Sequence, residues 1–71
     1  MEDMRIYTIR TGGQLAECEI APFCPPQWKL EPAGPDGSLL TVVTDQSGLV
    51  GLIRALHGLG CMLISINSAA R

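Results

Sequence analysis

The run Leu39-Leu40-Thr41-Val42-Val43-Thr44-Asp45-Gln46-Ser47-Gly48-Leu49-Val50-Gly51-Leu52-Ile53-Arg54-Ala55-Leu56-His57-Gly58-Leu59-Gly60-Cys61-Met62-Leu63-Ile64-Ser65-Ile66 changes its apolar period twice. Leu39 to Thr44 is a β-branched run, the composition of a strand. Asp45 is an N-cap residue, and it predicts a helix over 46–59. Leu49, Leu52, Ile53, Leu56 and Leu59 then fall at i, i+3, i+4, i+7 and i+10, one continuous apolar stripe. Gly60 supplies the left-handed stop. A second strand is predicted over 61–67, with Met62, Ile64 and Ile66 on one face by the two-residue period. A strand, a helix and a strand joined this tightly form a βαβ unit. Its two strands run parallel, and its crossover leaves room for one strand between them.

The strand for that slot stands at the other end of the chain. Arg5-Ile6-Tyr7-Thr8-Ile9-Arg10-Thr11 is β-branched and aromatic, and Gly12-Gly13 ends it, so a strand is predicted over 5–11. Both of its faces are partly apolar, which suits the middle of a sheet. Trp28-Lys29-Leu30-Glu31 alternates apolar with charged. Pro32-Ala33-Gly34-Pro35-Asp36-Gly37 is dense in turn residues, so 28–44 reads as a hairpin. Residues 14–27 are predicted irregular. Leu15 to Ala21 is long enough for two helical turns, but Pro22 and Pro25-Pro26 stop anything longer. The whole, 1–71, reads as one α+β domain with a four-stranded, mostly antiparallel sheet in the order 4-1-3-2. One main helix lies on one face. That is a small ferredoxin-like arrangement, a degenerate βαββαβ whose first helix is lost or vestigial.

Composition bounds what such a domain does. With 71 residues, of which 46% are apolar and 17% charged, the chain is too apolar to be disordered. Its core is nevertheless too small to supply more than ~3–5 kcal/mol unaided. The net charge is −2, and Tyr7 with Arg5 is the sole pairing of an aromatic with a base on one strand face, so a nucleic-acid partner is not expected. The stretch with fewest charges, Ala55 to Ala70, has 16 residues against the ~20 of a spanning helix, so no membrane partner is expected. Cys18, Cys24 and Cys61 are an odd number, and no basic start with an apolar run follows Met1. Free thiols in the cytoplasm are the expectation.

Five constellations invite a chemical reading. His57, Cys61, Cys18 and Cys24 add up to a zinc ligand set, but Cys18 and Cys24 stand six apart and no Cys-x₂-Cys pair exists, so no metal is expected. A cysteine nucleophile with His57 as base needs an electropositive pocket, and the chain has five cations in all. Glu17 and Glu19 have nothing nearby to split their pKa values for acid–base work. No catalytic residue and no cofactor follow. Asp45, Gln46, Ser47 and Gly48 open the helix, where backbone N–H groups favour anions. The phosphate-loop pattern is absent, which leaves a small ligand's carboxylate as the candidate there. Gly48, Gly51, Ala55 and Gly58 form a second helix stripe beside the leucines, while Gln46, Val50, Arg54 and His57 make the wet face. Glycines inside a helix cost ~0.5–1 kcal/mol each relative to alanine. The stripe fits either close packing on the chain's own sheet or the approach of another backbone.

Two resemblances meet on these residues. Val43-Thr44-Asp45-Gln46-Ser47-Gly48-Leu49, Leu59-Gly60-Cys61-Met62-Leu63-Ile64-Ser65-Ile66, and the opening Ile6-Tyr7-Thr8-Ile9-Arg10 with Gly13-Gln14-Leu15 resemble a group of short bacterial proteins of unknown function. The likeness covers both ends of the chain. Between them, Cys18 to Pro26 replaces that group's tryptophan- and phenylalanine-bearing segment. The likeness implies no activity. Asp45-Gln46-Ser47-Gly48-Leu49 is also similar to the D-x-x-G-L turn of ACT domains, and Leu59 to Ile66 to the strand that follows it there. That resemblance implies amino-acid effectors bound near Asp45 and Gly48 at a subunit interface.

The expectation is therefore a non-enzymatic cytoplasmic module that self-associates, as a dimer first, or docks on another protein. Its interface would run along Gly48, Gly51, Ala55 and Gly58. The alternative is an ACT-like regulatory domain that binds a small ligand such as an amino acid at the Asp45–Gly48 turn.

Overall fold

A computed structural model describes residues 4–70, with side chains through Ala69. Residues 1–3 and 71 of the predicted domain lie outside the described residues. In chain order the elements are β1 (Arg5–Gly12), α1 (Glu17–Ile20), a single 3₁₀ turn (Ala21–Phe23), β2 (Trp28–Pro32), β3 (Gly37–Thr44), α2 (Gln46–Gly58) and β4 (Met62–Ala70). The sheet order is β2-β3-β1-β4, the predicted 4-1-3-2 seen from its other edge, and each neighbouring pair is antiparallel. β3 and β4 flank β1 and run parallel to one another, joined by α2.

The core is the layer between α2 and one face of this sheet. Tyr7 and Ile9 of β1, Leu40 and Val42 of β3, and Leu49, Leu52 and Leu56 of α2 are buried there. Trp28 and Leu30 of β2 point to the same layer opposite Val42 and Leu40, while Lys29 and Glu31 stay exposed. Leu59 departs from the predicted stripe. It is the C-cap of α2 rather than part of the helix, and it is 42% exposed. Gly60 follows in the left-handed region at φ +82°, the position where a side chain would be strained.

The segment 14–27 is more ordered than its composition suggests. The two short helical turns set Ile20 into the core with no exposed surface. Ile20 thus joins the core from outside both the sheet and α2. Ser38 ties the segment down: its hydroxyl donates to Gly13 O at 3.2 Å and accepts from Leu15 N at 3.0 Å. In the hairpin the left-handed glycine is Gly34, at φ +80°, rather than Gly37, which is already buried in β3.

β4 also departs from its predicted form. It runs on to Ala70, and its register against β1 shifts between Arg10 and Thr11: Arg10 faces Ser65, while Thr11 faces Leu63. Ile64 is the extra residue of this β-bulge. One inserted residue reverses the alternation of everything beyond it. Met62 and Ile64 lie against Gly12 on the open face of the sheet, whereas Ile66 sits opposite Ile9 on the helix face. The three do not share one face as the sequence period predicts.

Candidate functional site

The turn from β3 into α2 is built as a capped helix start. Asp45 has extended backbone, and its Oδ1 accepts the Gly48 N–H at 2.8 Å. The Asp45 carbonyl accepts Leu49 N–H at 3.0 Å, the first bond of the helix. Gly48 has its reason within the chain, because a Cβ there would overlap Thr44 Oγ1 and crowd Asp45 Oδ1. Gln46 and Ser47 are exposed, and with Val50, Gly51 and Arg54 they line a wide, shallow depression of about 510 Å³. Arg54 is the one charged side chain in its lining. The four predicted ligand residues are therefore adjacent, but the carboxylate at the helix N-terminus is the protein's own.

The predicted interface stripe divides. Gly51 and Gly58 are exposed, and a Cβ on either would meet open space. Ala55 is half-buried, and Gly48 serves the cap. Packing against the chain's own sheet does not explain Gly51 or Gly58.

At the opposite end of the sheet, Gly12, Gly13, Gln14, Leu15, Glu19, Leu59, Gly60 and Cys61 surround a crevice of about 220 Å³. Burial pushes the Cys61 thiol up, and the negative charge of Glu19 adds to this. Burial alone pushes up Cys24. Both are thus held as neutral thiols, the reverse of what a nucleophile needs. Cys18 is exposed on α1. Among the described residues no three His, Cys, Asp or Glu side chains come together at metal-binding range, so His57 and the three cysteines do not converge.

The outer edges of the sheet differ from one another. β2 has five residues, carries the exposed Lys29 and Glu31 (paired at 3.5 Å) and ends on Pro32. β4 has nine residues, none charged and none proline. Its exposed apolar side chains are Met62 at 69%, Ile64 at 57% and Ile66 at 40%. The two-residue period announced an apolar strand here but not this arrangement, because the bulge that splits the three residues between two faces is invisible in that period.

A family model described as a domain of unknown function, DUF8691, matches residues 6–67. The chain belongs to that family. The match takes in both outer strands, α2 and the irregular segment, so the architecture above is that of a DUF8691 domain from β1 into β4. No curated protein and no solved structure matches the chain. Among the described residues no helix is long and apolar enough to cross a membrane.

Proposed function

We propose that this DUF8691 domain is a small, non-enzymatic cytoplasmic module of ferredoxin-like architecture that works by self-association. The observation that carries the reading is the distribution of apolar side chains. Among the described residues eight large hydrophobics form the core, while seven others are 40% exposed or more, three of them on the single strand β4. Isolated exposed hydrophobics are ordinary, but a concentration of them on one element marks a contact surface. A second chain laid there adds apolar burial that a core of this size lacks.

The amino-acid sensor reading at Asp45–Gly48 has less support. The Asp45 carboxylate already accepts the Gly48 N–H, and its charge opposes a second carboxylate at the same place. The test is absolute mass by light scattering across a hundredfold dilution, with a thermal-shift screen of the free amino acids beside it. Self-association predicts a mass that is a multiple of 7.6 kDa and falls on dilution. A 7.6 kDa species at every concentration, stabilised by one amino acid and not in Asp45→Ala, would replace this reading with the sensor.

A further inference from the structure

We infer that β4 is the seam of a homodimer, in which two copies pair their β4 strands antiparallel about Asn67 and join their sheets into one of eight strands. This rests on the self-association reading and names its surface and its partner. An edge strand presents a row of unpaired N–H and C=O groups, and proteins that keep an edge free protect it with charge, proline or shortness. β2 has all three protections: five residues, Lys29 and Glu31, and a terminal Pro32. β4 has none of the three over nine residues, and among the described residues no strand pairs beyond it. The occupant is a second copy because a strand without charge meets its own image with no like-charge repulsion, and an antiparallel pair of identical strands is self-complementary. A stable dimer covers ~800 Å² per partner. That is about a sixth of the 4570 Å² surface of this chain. Ile64 and Ile66 are the exposed apolar side chains nearest the paired backbone edge that contribute to it.

The register follows from two constraints. Opposite residues in an antiparallel pair point to the same face, so a two-fold axis perpendicular to the sheet passes between two copies of one residue. The bulge at Ile64 interrupts the repeat, and the regular run of β4 beyond it is Ser65 to Ala70. An axis at Asn67 gives the longest pairing that stays within β4 without placing the bulge inside it, with Ile64 and Ala70 facing each other at its ends. Ser65 then faces Ala69 of the second copy, and Ile66 faces Ser68. Asn67 faces Asn67, whose carboxamide has both a donor and an acceptor for its image. The side chain is exposed, lying opposite Thr8 of its own chain, so replacing it leaves the core untouched.

The experiment is light scattering over the same dilution series on the wild type, Asn67→Lys, Asn67→Asp, an equimolar mixture of the two variants, and Gly51→Leu. Circular dichroism confirms the fold of each. The expected result is a wild-type dimer and an unchanged Gly51→Leu dimer. Each charged variant alone should dissociate with a dissociation constant raised about tenfold or more, because like charges are forced together. The mixture should restore the dimer, with lysine facing aspartate. Amide exchange that slows over 65–69 as concentration rises is the matching signature in the wild type. A wild-type monomer throughout overturns both this inference and the self-association reading. A wild-type dimer that Asn67→Lys leaves intact, or that Gly51→Leu dissociates in its place, overturns the β4 seam and leaves self-association standing. Charged variants that dissociate without rescue in the mixture overturn the Asn67 register. Should the variants fail to fold, the concentration dependence of exchange at 65–69 decides alone: its absence in a wild-type dimer overturns the seam.

Discussion

Gly51→Ala separates the two surfaces most directly. Gly51 lies inside α2, and the left-handed glycines of the chain are Gly13, Gly34 and Gly60, so its backbone suits any L-residue. A Cβ at Gly51 meets nothing within 4 Å. The substitution therefore gains no contact and loses none among the described residues. What remains is helix propensity, worth ~0.8–1.0 kcal/mol in favour of alanine. For a domain of this size each 1 kcal/mol moves the midpoint by ~4–8 °C, so Tm should rise by ~3–8 °C. The assay is thermal unfolding followed by circular dichroism at one fixed protomer concentration, because association makes Tm concentration-dependent. A contrasting variant, Gly48→Ala, should lower Tm, because its methyl group overlaps the buried Thr44 hydroxyl and crowds the Asp45 cap. An unchanged or lowered Tm in Gly51→Ala would refute the reasoning. It would mean that another backbone lies close against this stretch of α2, as the small-residue stripe suggested, and the seam would move from β4 to the helix.

Four other outcomes follow from the same geometry. Ile20→Ala removes a fully buried side chain and should cost ~2–5 kcal/mol, as much as a core of this size provides, so the variant should lose its cooperative unfolding transition; a well-folded Ile20→Ala would mean that 14–27 is not part of the core. Asp45→Ala removes the acceptor for Gly48 N–H and should cost ~1 kcal/mol, read as a Tm lower by ~4–8 °C. Thr11 is fully buried and its hydroxyl has no partner among the described residues, so Thr11→Val should stabilise by ~1–2 kcal/mol in urea unfolding, and a loss would reveal a partner for that hydroxyl. Alkylation followed by mass spectrometry from about pH 7 to 10 should label the exposed Cys18 ahead of Cys24 and Cys61. The thiols of Cys24 and Cys61 are raised in the fold, so the stability linked to them is intact below the usual thiol range and is lost as pH rises through their raised values.

The sequence by itself determined the elements that rest on local chemistry. Asp45 caps α2 because a carboxylate in that position reaches the N–H of Gly48 whatever packs around it, and Gly60 stops the helix because only glycine is unstrained at positive φ. The sheet order was legible too. A tight strand–helix–strand unit leaves one slot, and Tyr7 with Ile6 and Ile9 makes β1 the strand that tolerates burial on both sides. Ile20 was legible only as an apolar residue in a proline-broken stretch. Its burial depends on Ser38, 18 residues further along, holding the segment at Gly13 and Leu15. The stripe of small residues was visible, but its meaning was not: Gly48 answers to Thr44, while Gly51 and Gly58 answer to nothing among the described residues. Only the tertiary structure decided which strand edges lie open and which way β4 faces. Period-two reading places Met62, Ile64 and Ile66 together, and one bulged residue against Arg10 and Thr11 puts Ile66 on the opposite face. A bulge is a property of two strands in register, and no single strand's sequence contains it.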